Sequence, residues 1–187
     1  MIIKLTRVKS SEEQILRNLL EIYVYELSQY TYIDVNDCGL FEVYKVLYRH
    51  IHKIRNIYNY DAHGIAYFVK VDNKLAGFVI INNHFDHINH CWSSKEDFYK
   101  ERYFVIREFF IMHKYRRLGI GTYAVKYIFD KYKGRWSLSY YSKNKRAKIF
   151  WNKMINEYCK NVGIKLIKKI VNIEGKSIKK EEITFEI

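Results

Sequence analysis

The chain contains no proline in its 187 residues, and only 8 glycines and 3 cysteines. Without proline it has no rigid polyproline spacer and no proline-rich recognition segment. No glycine–serine linker, low-complexity tract or fixed-period repeat divides it either, so a single domain over residues 1–187 is expected. The cysteines, Cys38, Cys91 and Cys159, are odd in number and far apart, and no C-x-x-C pair exists. That argues against a disulfide framework and a cysteine-based zinc site, and it fits a reducing cytoplasm. Long apolar runs are missing too. The N-terminal "MIIKLTRVKSSEEQ" is too polar for a signal peptide, and no segment reaches the roughly 20 apolar residues of a membrane span.

Acidic residues are also short: 20 Asp and Glu stand against 33 Lys and Arg, a formal net charge of +13. Such a surface attracts polyanions, whether nucleic acid or a phosphorylated cofactor, without saying which. What is abundant is apolar and aromatic. The chain is 49% apolar with 18 tyrosines, enough to fill the core of a soluble globular protein.

"MIIKLTRV" reads as a strand. "SSEEQ" offers a capping box, Ser10 with Glu13 or Ser11 with Gln14, before a helix with Ile15, Leu16, Leu19, Ile22, Tyr23 and Leu27 on its inner side. "LFEVYKVLYRHIHKIRNIY" supports a second helix. "GIAYFVKV" and "LAGFVIIN", joined at "DNK", make a hairpin, and Arg102–Met112, "RYFVIREFFIM", is a further strand. Ala124, Val125, Ile128, Phe129 and Tyr132 mark a helix, with Gly134 placed as its stop. "RWSLSYYS" is a strand, and Ala147 to Tyr158 keeps helical spacing. The tail forms two strands around Gly175. Eleven elements in this order predict a mixed α/β fold.

The stretch "HKYRRLGIGTYAV" carries the chemistry. A strand, a basic loop and a helix starting near Gly119 or Ile120 place unpaired backbone N–H groups and the positive helix end together, an anion site. Gly119 and Gly121 let the chain approach a phosphate closely, and Arg116 and Arg117 add charge. The loop is neither a Walker A motif nor a G-x-G-x-x-G fingerprint. Taken alone, it could equally be a turn with solvated arginines.

"REFFIMHKYRRLGIG", followed by a strand and "NKRAKIFW", resembles the GNAT family of acyl-CoA-dependent N-acyltransferases, in particular a little-characterised bacterial branch. Arg116-Arg117-Leu118-Gly119-Ile120-Gly121 matches the family's (Q/R)-x-x-G-x-(G/A) signature. Asn144-x-x-Ala147-x-x-Phe150-Trp151 matches its last motif. The resemblance implies a GNAT-like fold: a mixed, mostly antiparallel twisted sheet, splayed at its centre between the strand ending near Met112 and the strand near Leu138, with helices on both faces. It implies acetyl-CoA as co-substrate, its pyrophosphate on the amides of Arg117, Leu118, Gly119, Ile120, Gly121 and Thr122 beside Arg116. The pantetheine arm would pair with Phe110, Ile111 and Met112, with Asn144 on its other side and Ala147, Phe150 and Trp151 nearby. The reaction implied is direct transfer of acetyl to a primary amine in a ternary complex, with Glu108 as general base. That carboxylate could instead pair with Arg107 or Arg102, or face solvent. Where many members carry a tyrosine acid this chain has Trp151, an N–H donor only. Tyr115, Tyr140, Tyr141 or water would then serve.

Other constellations weigh less. "HFDHINHC" gathers His84, His87, His90, Cys91 and Asp86, but the spacing fits no zinc motif, so a polar loop with no metal is expected. The basic, aromatic run from "KYKGRW" to "KNKRAKIFWNK" suits a nucleic-acid surface. A basic nucleic-acid- or ribosome-associated protein is therefore the alternative, as is an acetyltransferase for an RNA-borne or ribosomal-protein amine. Tyr25, Tyr30, Tyr32, Tyr44 and Tyr48, with Glu21, Glu26, Asp34 and Asp37, lie where the family walls its acceptor pocket. The acceptor amine itself is not named by the sequence, and neither a monomer nor a homodimer is disfavoured.

Overall fold

The computed structural model describes residues 1–41, 63–86, 101–158, 164–173 and 175–187. Its elements are β1 (Ile3–Arg7), α1 (Glu13–Thr31), β2 (His63–Val71), β3 (Lys74–Asp86), β4 (Glu101–Ile111), α2 (Ile120–Lys131), β5 (Arg135–Tyr141), α3 (Lys145–Tyr158), β6 (Lys165–Ile173) and β7 (Lys176–Glu186). The seven strands form one sheet in the order β1-β2-β3-β4-β5-β7-β6. Every neighbouring pair is antiparallel except β4 with β5. This is the mixed, mostly antiparallel α/β architecture expected. The expected helix from Leu40 to Tyr58 lies almost wholly outside the described residues.

The β2–β3 hairpin turns on Asp72 and Asn73, both at positive φ (46° and 63°), as a two-residue turn matched to strand twist requires. The Asp72 carboxylate also accepts the Ile2 N–H at 2.8 Å, which ties β1 to the turn.

Helix α1 buries Leu16, Leu19 and Leu20, a stripe of i, i+3, i+4 spacing, against Phe68, Phe78, Ile80 and Phe110 on one sheet face, and Val24 packs with Ile33 and Phe41. Ile15 and Ile22, expected on that stripe, fall outside it and are exposed. The expected serine cap is also replaced: a short 3₁₀ turn (Ser10–Glu12) precedes α1, and Glu12 reaches back to the Lys9 N–H at 3.1 Å. The helix stops at Tyr32, which takes a left-handed conformation (φ 59°).

The opposite face carries α2 and α3 and holds the larger core. Phe129 is fully buried there, its ring centroid 5.0 Å from that of Trp136 and 5.4 Å from that of Phe185. Truncating such a side chain to alanine costs about 3–5 kcal/mol. Gly134 is not the stop of α2, which ends at Lys131. Its N–H and C=O pair with those of Ile187 and fasten the start of β5 to the C-terminus.

One irregularity positions the site. Ile80 pairs with Glu108 but Ile81 pairs with Ile106, so Arg107 is an extra residue, a β-bulge in β4. Before it, Phe104 and Ile106 point into the α2/α3 core; after it, Phe109 and Ile111 do. Glu108 and Phe110 therefore face α1. The parallel pairing with β5 runs from Tyr103↔Arg135 to Ile106↔Leu138 and stops where the bulge bends β4 away.

Candidate active site at the splay of the sheet

Beyond Ile106 and Leu138 the two strands part, and the gap opens into a cavity of about 360 Å³. Its lining comes from both faces of the sheet. Tyr23, Asn82, Glu108, Tyr141 and Lys180 belong to the α1 side, while Phe109, Tyr140, Ala147 and Trp151 belong to the α2/α3 side. The cavity thus passes through the sheet.

Glu108 sits at its centre. Burial pushes its carboxyl above the ordinary glutamate value, opposed by a hydrogen bond from the Tyr23 hydroxyl and by the nearby Lys180 and Arg107. Tyr23 is in turn held well above its ordinary value, by burial first and then by Glu108. On the opposite wall burial lifts Tyr141 to about 12, with Glu108 adding to it, so this phenol keeps its proton. Its ring stacks on Tyr30 at 6.4 Å and lies under the Lys180 ammonium at 4.5 Å. Tyr140 is also lifted to about 12 by burial, and its hydroxyl donates to Glu181 at 3.0 Å.

The β4 side of the gap offers main-chain groups. The Met112 N–H donates to the Ala76 carbonyl at 2.8 Å, so Met112, and by strand alternation Phe110 and Glu108, direct their peptide groups toward β3. Those of Phe109 and Ile111 point to the side that no strand occupies. Among Phe110, Ile111 and Met112, then, only Ile111 presents its backbone to the gap, and Phe109, not singled out in the sequence, joins it. The Ile111 carbonyl accepts from Arg116 Nε at 2.6 Å. Gly77 makes this edge fit: a Cβ there would stand 2.0 Å from the Phe110 carbonyl oxygen.

Arg117 (φ 62°) and Gly119 (φ 76°), the cap of α2, are left-handed, and the loop from Arg117 to Gly119 is exposed. A Cβ on Gly119 would meet no protein atom within 4 Å. The first N–H groups of α2 sit here, an arrangement that suits a pyrophosphate. Ile120 is fully buried, so only its backbone can serve; Leu118 is exposed, and Gly121 and Thr122 are half-buried. A Cβ on Gly121 would touch the Phe150 ring at 3.4 Å. Arg116 does not project freely: besides Ile111 it holds Glu26 of α1 at 2.5 Å, and its guanidinium lies over Phe110. Arg117 is exposed.

Asn144 caps α3: its Oδ1 accepts the Ala147 N–H at 3.0 Å, leaving its amide N–H groups as the part that can reach a ligand. Phe150 stacks on Phe109 at 5.4 Å, and Trp151 packs edge-on to Phe109 at 5.2 Å. Phe109, Asn144, Ala147 and Trp151 line the cavity, and the loop meets this group through Gly121 beside Phe150 and Ile111; the residues present fit an extended, phosphorylated ligand.

Some sequence candidates fall elsewhere. Glu21 accepts the Phe41 N–H and Glu26 belongs to Arg116. His84 lies in β3. Tyr44, Tyr48, His87, His90 and Cys91 lie outside the described residues. Lys180 and Tyr23 were missed as site residues. Both are remote in sequence from every motif, and only the β5–β7 pairing and the α1 docking bring them to Glu108.

Among the described residues no helix is long and apolar enough to cross a membrane. No curated protein matches the chain by sequence. The structure of Arabidopsis thaliana NAA60 in complex with acetyl-CoA is similar, with a TM-score of 0.58 at 11% identity, covering 100% of this chain and 99% of that one. An acetyltransferase from Salmonella typhimurium that modifies the N-terminal serine of a 50S ribosomal subunit protein matches with a TM-score of 0.60 at 15% identity (99% and 95% covered). Mutant forms of the spermidine/spermine N-acetyltransferase SpeG from Vibrio cholerae match with a TM-score of 0.53 at 12% identity (99% and 95% covered). At such identities these likenesses speak for the fold. The family model of the acetyltransferase (GNAT) family matches residues 22–155, most of the chain. With the bulged β4, the splay and the glycine-capped α2 all inside that span, the chain belongs to the GNAT acetyltransferase family, whose co-substrate is acetyl-CoA.

Proposed function

We propose that the protein is an N-acetyltransferase that moves the acetyl group of acetyl-CoA to a primary amine by direct attack in a ternary complex. The observation that carries this reading is a carboxylate with a raised pKa, Glu108, held by Tyr23 in a cavity that crosses the sheet beside an unpaired strand edge. The amides at the start of α2 would hold the pyrophosphate, and Phe109 and Ile111 would pair with the pantetheine arm, with the Asn144 amide on its other side. Acetyl-CoA, when bound, supplies an activated acyl group as a thioester.

Glu108 then takes one proton from the acceptor ammonium. A base lifted toward neutrality by burial suits that task. The freed amine lone pair forms the N–C bond, the C–S bond breaks, and its electron pair leaves on sulfur. Tyr141, protonated and on the cavity wall, gives its O–H proton to that sulfur, and the second proton lost by the nitrogen returns to the Tyr141 oxygen; the Tyr140 hydroxyl is already committed to Glu181.

Two measurements test this. Calorimetry with acetyl-CoA is expected to show saturable binding, and a panel of amino acids, polyamines, aminoglycosides and basic peptides is expected to contain an amine that releases CoA thiol. Salt-dependent RNA binding indifferent to acetyl-CoA, with no thiol release, would instead favour the nucleic-acid reading.

A further inference from the structure

The charged side chains among the described residues lining the cavity are Arg107, Glu108 and Lys180. Two cations share one carboxylate. Burial first, with Arg107 adding to it, holds the Lys180 ammonium below the ordinary lysine value, and Glu108 and Glu182 oppose that lowering. Glu182 is itself bonded to Lys169, and among the described residues Glu26 and Glu181 near this region are held by Arg116 and Lys148. The described residues lining the cavity therefore carry a charge of about +1 before any acceptor enters.

An acceptor ammonium raises that charge, and a polyamine raises it further. An amine that also carries one carboxylate adds no net charge, because its ammonium and carboxylate cancel, and it brings an anion to the cations of the cavity. Like charges interact more strongly at the half-buried Lys180 than in open water, while Arg107 is exposed and screened, so Lys180 weighs most in which amines can enter. Lys180 is well placed for the role: it lies on β7 opposite Tyr141, its ammonium rests on that ring, and the half-buried side chain reaches the α1 side where Glu108 and Tyr23 meet.

We propose that Lys180, supported by Arg107, is the specificity-determining residue of the acceptor site and receives a carboxylate, so that the acceptors are small amino acids rather than polyamines. This rests on the acetyl-transfer reading above and narrows it. The two cations also disfavour the ammonium form of the bound amine, which helps Glu108 take its proton.

Matched pairs provide the test: glycine with methylamine, L-phenylalanine with phenethylamine and L-lysine with cadaverine, each followed by thiol release. The carboxylated member is expected to have at least tenfold higher kcat/KM. Lys180→Met is expected to bring that ratio close to one by raising KM for the carboxylated member, and Lys180→Arg to restore it. Equal or better use of the amines lacking a carboxylate, or a ratio unmoved by Lys180→Met, overturns the proposal. A separate readout needs no turnover. N-acetyl-L-phenylalanine is expected to bind the wild-type protein at least tenfold tighter than N-acetylphenethylamine by calorimetry, and equal binding overturns the subsite. If acetyl-CoA binds but no amine releases CoA, the transfer reading fails while this titration still judges Lys180.

Discussion

The two sides of the splay offer different things to a ligand. The β4 side presents peptide groups of Phe109 and Ile111, a glycine-capped helix start and apolar packing from Phe150 and Trp151. The β5–β7 side and α1 present titratable side chains, Tyr141, Lys180 and Tyr23, arranged around Glu108. Backbone groups are indifferent to side-chain identity, so the first side suits a constant, extended co-substrate. Side chains change by single substitutions, so the second side is where acceptor choice is set. Binding of the co-substrate and choice of the amine are therefore separable in this molecule.

Glu108→Gln should divide them most sharply. The general-base role predicts a fall in kcat of about two to four orders of magnitude, while the acetyl-CoA dissociation constant stays within about twofold. Stopped turnover with unchanged calorimetric binding supports the division; wild-type turnover at neutral pH would remove Glu108 from the chemistry.

Gly77→Ala attacks the other side. Its Cβ would collide with the Phe110 carbonyl, a backbone atom that cannot rotate away, so β3 and β4 must separate. An overpacking cost of about 1–3 kcal/mol is expected, read as a lower urea midpoint. Because the displaced strand is the one carrying Phe109 and Ile111, acetyl-CoA affinity should weaken alongside. An unstable variant with undiminished affinity would show that the open edge does not hold the co-substrate.

The smallest effect concerns pH. Burial holds Glu108 above its ordinary value of 4.5, so between that value and the raised one the folded chain keeps a proton that the unfolded chain has lost. This contribution to stability is complete below the ordinary value and is lost as pH rises through the raised one. Urea midpoints measured from pH 4 to 7 should decline over that window, and Glu108→Gln should flatten the decline. Identical slopes would mean that the carboxylate is solvated like any surface glutamate.

The same division explains what could be read from the sequence. Strand and helix periods announced β2 to β7, α2 and α3, because apolar alternation and i, i+4 spacing follow directly from backbone geometry. The glycine loop and the Asn144 motif were legible because a phosphate and a helix cap each demand particular residues at fixed spacing. Lys180 gave no such signal. It is one lysine among many in a basic tail, and its meaning comes from lying across from Tyr141 in the strand pairing. Arg116 shows the reverse: its charge suggested a phosphate contact, whereas its guanidinium ties the loop to Glu26 of α1. The faces of α1 were misjudged at Ile15 and Ile22 because an amphipathic stripe read without its partner sheet can be drawn one residue too wide.

Arg107 can be regarded as an edge dislocation. In a crystal, one extra half-row of atoms bends the rows beside it and leaves a void at its end, whatever the atoms are. Here one extra residue in β4 ends the register with β5, and the void beside it is the cavity. Its existence thus depends on residue count rather than residue type. Arg107→Ala should leave the gap in place, whereas deleting residue 107 should let β4 zip onto β5 and heal the void with Glu108 still present in the chain.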